Sequence, residues 1–332
     1  MAEARILPAL LMLSLAACNE SPARHGSDGT GNADTGPRVD TKICAEVNVD
    51  LDQIYPYVTL LIDQSTSMEQ DFGGVSRWQA VYDTLMASGT GVVHKLQGSV
   101  AFGLALYTSH GGSAGGTCPV ITGVNHALNN HPAIDAVYAP AAPDDETPTG
   151  DSIDVEAAKL KQLAGGGARV IVLATDGEPD TCARPNPQDG QPEAIAAAQK
   201  AFTAGIQTYI ISVGNDVSDG HLQDMANAGA GLAVGGATNA PFYRALKPDD
   251  LVQAFSKIIH TVQDCRFALK GSINIAFAGQ GTVKLDGKLL AFGTQWRLID
   301  DHTLELLGDA CTTLLDGSKH AVSAAWPCIA IE

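Results

Sequence analysis

Leu60–Met68 reads LLIDQSTSM. Aliphatic residues give way at once to Asp63, Ser65, Thr66 and Ser67. The run from Val58 to Ile62 has the make-up of a strand covered on both faces. Its polar tail has two readings. An Asp or Ser just past a strand can cap the next helix. The same side chains can also offer oxygen ligands to a hard cation. These residues alone do not separate the two.

Working outward, strand-like and helix-like segments alternate. Helical patterns cover Trp78–Met86, Gly150–Ala164, Glu193–Ala204, His221–Ala228 and Asp249–Thr261. Strand patterns cover Val100–Tyr107, Pro119–Val124, Val170–Ala174, Ile206–Val213 and Phe242–Leu246. This alternation predicts an α/β fold: a doubly wound, mostly parallel sheet flanked by helices. After Cys265 the pattern changes. Asp286-Gly287 between apolar runs predicts a hairpin, and 266–332 reads as a small β-rich C-terminal module. The α/β domain is expected over 44–265.

The N-terminus predicts export. Arg5 precedes an apolar run, Ile6–Ala17, too short to stay as a bilayer span and suited to a signal-peptide core. Leu15-Ala16-Ala17-Cys18 ends that run and resembles a bacterial lipobox. The resemblance implies acylation of Cys18, with 1–18 as signal peptide and lipobox. It also implies a lipid-anchored protein of the cell envelope, and Asn19 after the cysteine favours the outer membrane. Residues 19–43, rich in Gly, Ser, Asp and Asn, read as a flexible polar tether. Beyond Cys18 six cysteines remain, an even number that suits disulfides in an exported chain.

Composition narrows the function. Acidic residues outnumber Lys and Arg by 37 to 20, a net charge of -17. With no long basic run, the chain is unsuited to neutralising phosphates, which argues against nucleic acid as a partner.

In a doubly wound sheet, ligands bind beyond the carboxyl ends of the strands. Polar residues just past the parallel strands are therefore the candidate site. They are Asp63, Ser65 and Ser67, then Thr175-Asp176-Gly177-Glu178, with Glu146-Thr147-Pro148-Thr149 ahead of a helix. All are oxygen donors, suited to Mg²⁺, Mn²⁺ or Ca²⁺.

Asp63-x-Ser65-x-Ser67, a central threonine and the aspartate of VIVLATDGEPD resemble the von Willebrand factor type A domain and its metal-ion-dependent adhesion site. The resemblance covers about Pro56–Val262. It implies that Ser65 and Ser67 ligate the ion directly, that Asp63 and Asp176 act mostly through water, and that Thr147 supplies a conformation-dependent ligand, with Thr149 as its rival. Thr66 stands where many relatives have glycine, a departure tolerated if its φ is negative. The ion would accept an acidic group of a protein ligand. On the same fold logic the expected disulfides are Cys44–Cys265, Cys118–Cys182 and Cys311–Cys328.

Two other functions compete. A metal-dependent hydrolase would need a base, for which Glu178 is the candidate. A structural envelope protein would carry a vestigial site. Gly111-Gly112-Ser113-Ala114-Gly115 fits GxSxG, but a nucleophile elbow needs a helix next, and here a second strand is expected. It therefore reads as a hairpin loop, and no catalytic residue is assigned.

Overall fold

The computed structural model describes residues 46–110, 116–185, 188–316 and 318–331. The lipobox, the tether, Cys44 and the GxSxG stretch lie outside these. Among the described residues no helix is long and apolar enough to cross a membrane.

The chain begins with two short strands, β1 (Glu46–Val49) and β2 (Leu51–Gln53), and then enters β3 (Tyr57–Asp63). Next come α1 (Arg77–Met86), α2 (Val92–Leu96), β4 (Ala101–His110), β5 (Thr117–Ala127) and α3 (His131–Tyr138). The alternation resumes with α4 (Thr149–Lys161), β6 (Arg169–Thr175), α5 (Gln191–Thr203), β7 (Ile206–Val213), α6 (Asp219–Gly229), β8 (Tyr243–Ala245) and α7 (Pro248–Val262). Strands β9 (Arg266–Leu269), β10 (Thr282–Leu285), β11 (Lys288–Leu289), β12 (Trp296–Asp300) and β13 (Thr303–Leu306), helix α8 (Gly308–Leu314) and strand β14 (Val322–Pro327) complete it.

The central sheet has the order β5-β4-β3-β6-β7-β8 and is parallel except for β5. Side chains of β3 and β6 alternate between two apolar layers, as a strand's period of two requires. Val58, Leu60, Ile62, Val170 and Val172 pack with α1, α2 and α7. Leu61, Ile171 and Leu173 pack with α4, α5 and α6. Both faces are buried, which explains the unbroken aliphatic runs. The chain leaves β3 toward β4 on one side and returns to β6 on the other. The carboxyl ends of β3 and β6 therefore form the switch point where such sheets bind ligands.

The C-terminal module is larger than expected. Its two four-stranded sheets run β1-β14-β10-β11 and β12-β13-β9-β2 around Trp296 and Trp326. Thus β1 and β2, placed by the sequence in the α/β domain, belong to the module: Glu46 pairs with Pro327 and Leu51 with Leu269. Such short strands gain little until distant partners complete their sheet. The Asp286-Gly287 turn does join β10 to β11, with φ of 50° and 77° as a tight hairpin requires.

Cys118 is bonded to Cys182, and Cys265 to Cys311. The second bond corrects both the Cys44–Cys265 and Cys311–Cys328 expectations. Leu306 N–H donates to Cys265 O at 2.9 Å, which brings the start of β9 beside the β13–α8 junction. The bond therefore joins the segment after α7 to α8.

Candidate metal centre

Three segments meet at the β3–β6 switch point. Asp63, the last residue of β3, is fully buried. Its Oδ1 accepts the Ser65 N–H at 2.8 Å and its Oδ2 accepts the Thr175 hydroxyl at 2.6 Å. Thr66 begins a 3₁₀ turn at negative φ, so the missing glycine imposes no left-handed strain. Ser65 occupies the N-cap position of that turn, but its side chain makes no cap bond. It lies 2.9 Å from Ser67 Oγ instead, and Ser67 donates to Asp176 Oδ1 at 2.6 Å. The helix-cap role falls to Ser76, whose hydroxyl accepts from Gln79 N–H.

The threonine segment is pinned from two sides. Asp144 N–H donates to Gln64 O at 2.6 Å and Thr66 N–H to Asp145 O at 3.2 Å. Asp180 N–H donates to Thr147 O at 2.9 Å, and its carboxylate accepts Thr147 N–H at 3.2 Å. A Cβ built on Gly177 would lie 3.6 Å from Thr147 Oγ1 and 3.7 Å from Ser67 Oγ. A glycine here leaves a gap bordered by both hydroxyls. Thr149 differs: its hydroxyl lies 3.1 Å from Tyr107 OH and 3.4 Å from Thr147 O, inside the fold. Cys118–Cys182 ties the start of β5 to the loop after β6, and Cys182 N–H donates to Asp151 at the start of α4.

Burial raises the affinity of Asp63 for a proton, and the nearby Asp176 charge adds to this against the bonds from Thr175 and Ser65. Burial also pushes Asp176 up, opposed by Ser67 and Arg77. Two buried carboxylates near each other favour neutralisation. Arg77 provides part of it through Nη1, 2.7 Å from Asp176 Oδ2. No group of three or more His, Cys, Asp and Glu converges on a metal-sized point among the described residues. The donors here are mostly hydroxyls, with two carboxylates and a glycine-made gap. That chemistry fits a hard divalent cation that keeps most of its charge.

Glu178, the candidate base, is engaged elsewhere. Oε1 accepts Ser218 N–H at 2.7 Å and Oε2 accepts from Gln191 at 3.1 Å. Burial works against its charged form, but these bonds outweigh it and lower its pKa. His110, beside the GxSxG stretch, pairs with Asp144 at 2.8 Å on the surface. Sequence reasoning missed Arg77 and Asp216. Asp216 carries the general signal, a carboxylate just past a parallel strand. Arg77 carries none, because an arginine in the first turn of a helix ordinarily extends into solvent.

The family model described as the von Willebrand factor type A domain matches residues 58–253, more than half of the chain. No curated protein matches. Among solved structures, the pilus adhesin SpaC from Lactobacillus rhamnosus GG is similar at 16% identity and TM-score 0.48, over 84% of this chain and 40% of that one. The PilB minor pilin from Streptococcus sanguinis is similar at 18% identity and TM-score 0.49, over 64% of this chain and 62% of that one. Manganese-loaded TRAP from Plasmodium vivax is similar at 14% identity and TM-score 0.41, over 85% and 98%. The chain spans less than two thirds of the length of the first two.

Proposed function

From the premise that the chain belongs to the von Willebrand factor type A domain family, we propose that it captures a protein ligand through a divalent cation. Ser65, Ser67 and Thr147 would hold Mg²⁺ or Mn²⁺ through hydroxyls, with Asp63 and Asp176 behind them. When bound, the ion supplies an electrophilic position for a carboxylate of the ligand. The chain's own residues hold the oxygens in place: Thr175 fixes Asp63, Arg77 fixes Asp176 and Asp180 fixes the Thr147 backbone. The observation that carries this reading is the gap at Gly177, bordered by Ser67 and Thr147 hydroxyls from separate loops.

Binding is favoured over hydrolysis because Glu178, the only base named for that chemistry, has both oxygens occupied. The reading also places the protein at the cell envelope, anchored through acylated Cys18. Radiolabelled palmitate should label the wild type but not Cys18→Ala; equal labelling would remove the anchor from the account. For the ligand, capture from envelope extracts should be lost in EDTA, restored by Mg²⁺, and lost in Ser65→Ala/Ser67→Ala. Capture indifferent to EDTA would refute the cation's role.

A further inference from the structure

Arg77 is the first residue of α1, and its side chain is 6% exposed. Its guanidinium lies between two carboxylates. Nη1 is 2.7 Å from Asp176 Oδ2, and Nη2 is 2.7 Å from Asp216 Oδ2. Asp176 uses its other oxygen to accept from Ser67. A continuous chain thus runs Ser67–Asp176–Arg77–Asp216. Gly214 makes room for it: a Cβ there would sit 2.8 Å from Nη2, and its φ of +98° suits glycine. A cation in the first turn of a helix opposes the helix dipole, so helix stability does not explain Arg77.

Two effects of Arg77 on a neighbouring cation compete. Fixing the Asp176 carboxylate favours binding; partners of metal-ligating groups typically change affinity by about 10- to 100-fold. An uncompensated guanidinium would repel the ion. Asp216 decides between them. Its carboxylate answers the Arg77 charge from the other side, so the positioning effect survives and the repulsion is largely cancelled.

We propose that Arg77 and Asp216 form one positioning unit for the cation site, in which Arg77 orients Asp176 and Asp216 offsets the charge of Arg77. The inference rests on the cation reading above. Neither residue is a ligand.

The test is calorimetric titration of the purified chain with Mn²⁺, for wild type, Arg77→Met, Arg77→Lys, Asp216→Asn and Arg77→Met/Asp216→Asn. Melting of each in EDTA reports any purely structural effect. Arg77→Met should weaken Mn²⁺ binding by about 10- to 100-fold, with partial recovery in Arg77→Lys. Asp216→Asn should weaken it several-fold, roughly threefold or more, and more strongly at low ionic strength. The double variant should bind no more weakly than Arg77→Met, because Asp216 acts through Arg77. Asp216 is half exposed, so its variant remains informative if Arg77→Met fails to fold. Unchanged affinity in Asp216→Asn and Arg77→Lys, or additive losses in the double variant, would overturn the proposal while leaving the cation site standing. A wild-type chain that binds no Mn²⁺ would overturn both.

Discussion

Thr175 Oγ1 donates to Asp63 Oδ2 across 2.6 Å, joining the carboxyl ends of two adjacent parallel strands inside the core. The bond holds one buried carboxylate in a fixed plane, with its other oxygen on Ser65 N–H. Thr175→Val keeps the shape and removes the donor, leaving part of a buried carboxylate unsatisfied. It should lower stability in EDTA by about 1–3 kcal/mol, with a larger loss in saturating Mg²⁺, because a site without this bond holds the ion more weakly. Thermal melts under both conditions check this; equal losses would separate the bond from the cation site.

Thr147 and Thr149 should separate cleanly. Thr149 is bonded inside the fold, whereas Thr147 borders the gap at Gly177. Thr147→Ala is expected to weaken ligand capture at least tenfold with little change in melting temperature. Thr149→Ala should cost about 1 kcal/mol of stability and leave capture near wild type. The reverse pattern in paired capture and melting assays would exchange their roles.

The strand skeleton was legible because β3 and β6 are largely aliphatic on both faces and end in turn-forming residues. The cluster of Asp63, Ser65 and Ser67 was legible for the same reason, since it stands at the carboxyl end of one parallel strand. What escaped depends on long-range pairing. Residues 46–53 alternate apolar and polar side chains as a strand does, but that pattern does not reveal that they complete the C-terminal sheets. Arg77 becomes meaningful only once Asp176 and Asp216 stand on either side of it. Cys118–Cys182 was legible once both cysteines were placed at the carboxyl-end rim of the sheet, whereas Cys265 was not, because its bond depends on where the β13 turn places α8.

The disulfide count follows from those pairings. Cys44 and Cys328 are the two remaining cysteines after Cys18, Cys118–Cys182 and Cys265–Cys311 are set aside. Glu46, two residues after Cys44, pairs with Pro327, the neighbour of Cys328. Peptide mapping without reduction should find a Cys44–Cys328 peptide and no alkylatable thiol among these six. A thiol recovered at Cys328 would contradict it.

Removing the Cys118–Cys182 bond by a double change to alanine should lower stability by about 2–4 kcal/mol. It should also weaken ligand capture, because the bond ties β5 to the loop after Asp176. Melting and capture measured on the same variant test both parts; lost stability with unchanged capture would confine the bond to a structural role.

Acid should destabilise the chain through His126. Burial pushes its pKa from 6.5 down to about 4, and Lys159 adds to the effect; its Nε2 lies 2.9 Å from Thr59 Oγ1. Below pH 6.5 the unfolded chain takes up a proton that the folded chain refuses. The stability present above 6.5 is therefore lost progressively down to about pH 4, by on the order of 3 kcal/mol. Denaturant melts of wild type and His126→Gln across that range should show a shallower slope in the variant. Parallel slopes would remove His126 as the cause.

The central claim is that neutral hydroxyls from the β3 loop hold a divalent cation beside Asp63 and Asp176. Its most direct test is calorimetric titration of the purified chain with Mn²⁺, wild type against Ser65→Ala/Ser67→Ala. The account predicts a single saturable site in the wild type and at least a hundredfold weaker binding in the variant, with both proteins folded in EDTA. Equal binding in the two, or none in the wild type, would contradict it.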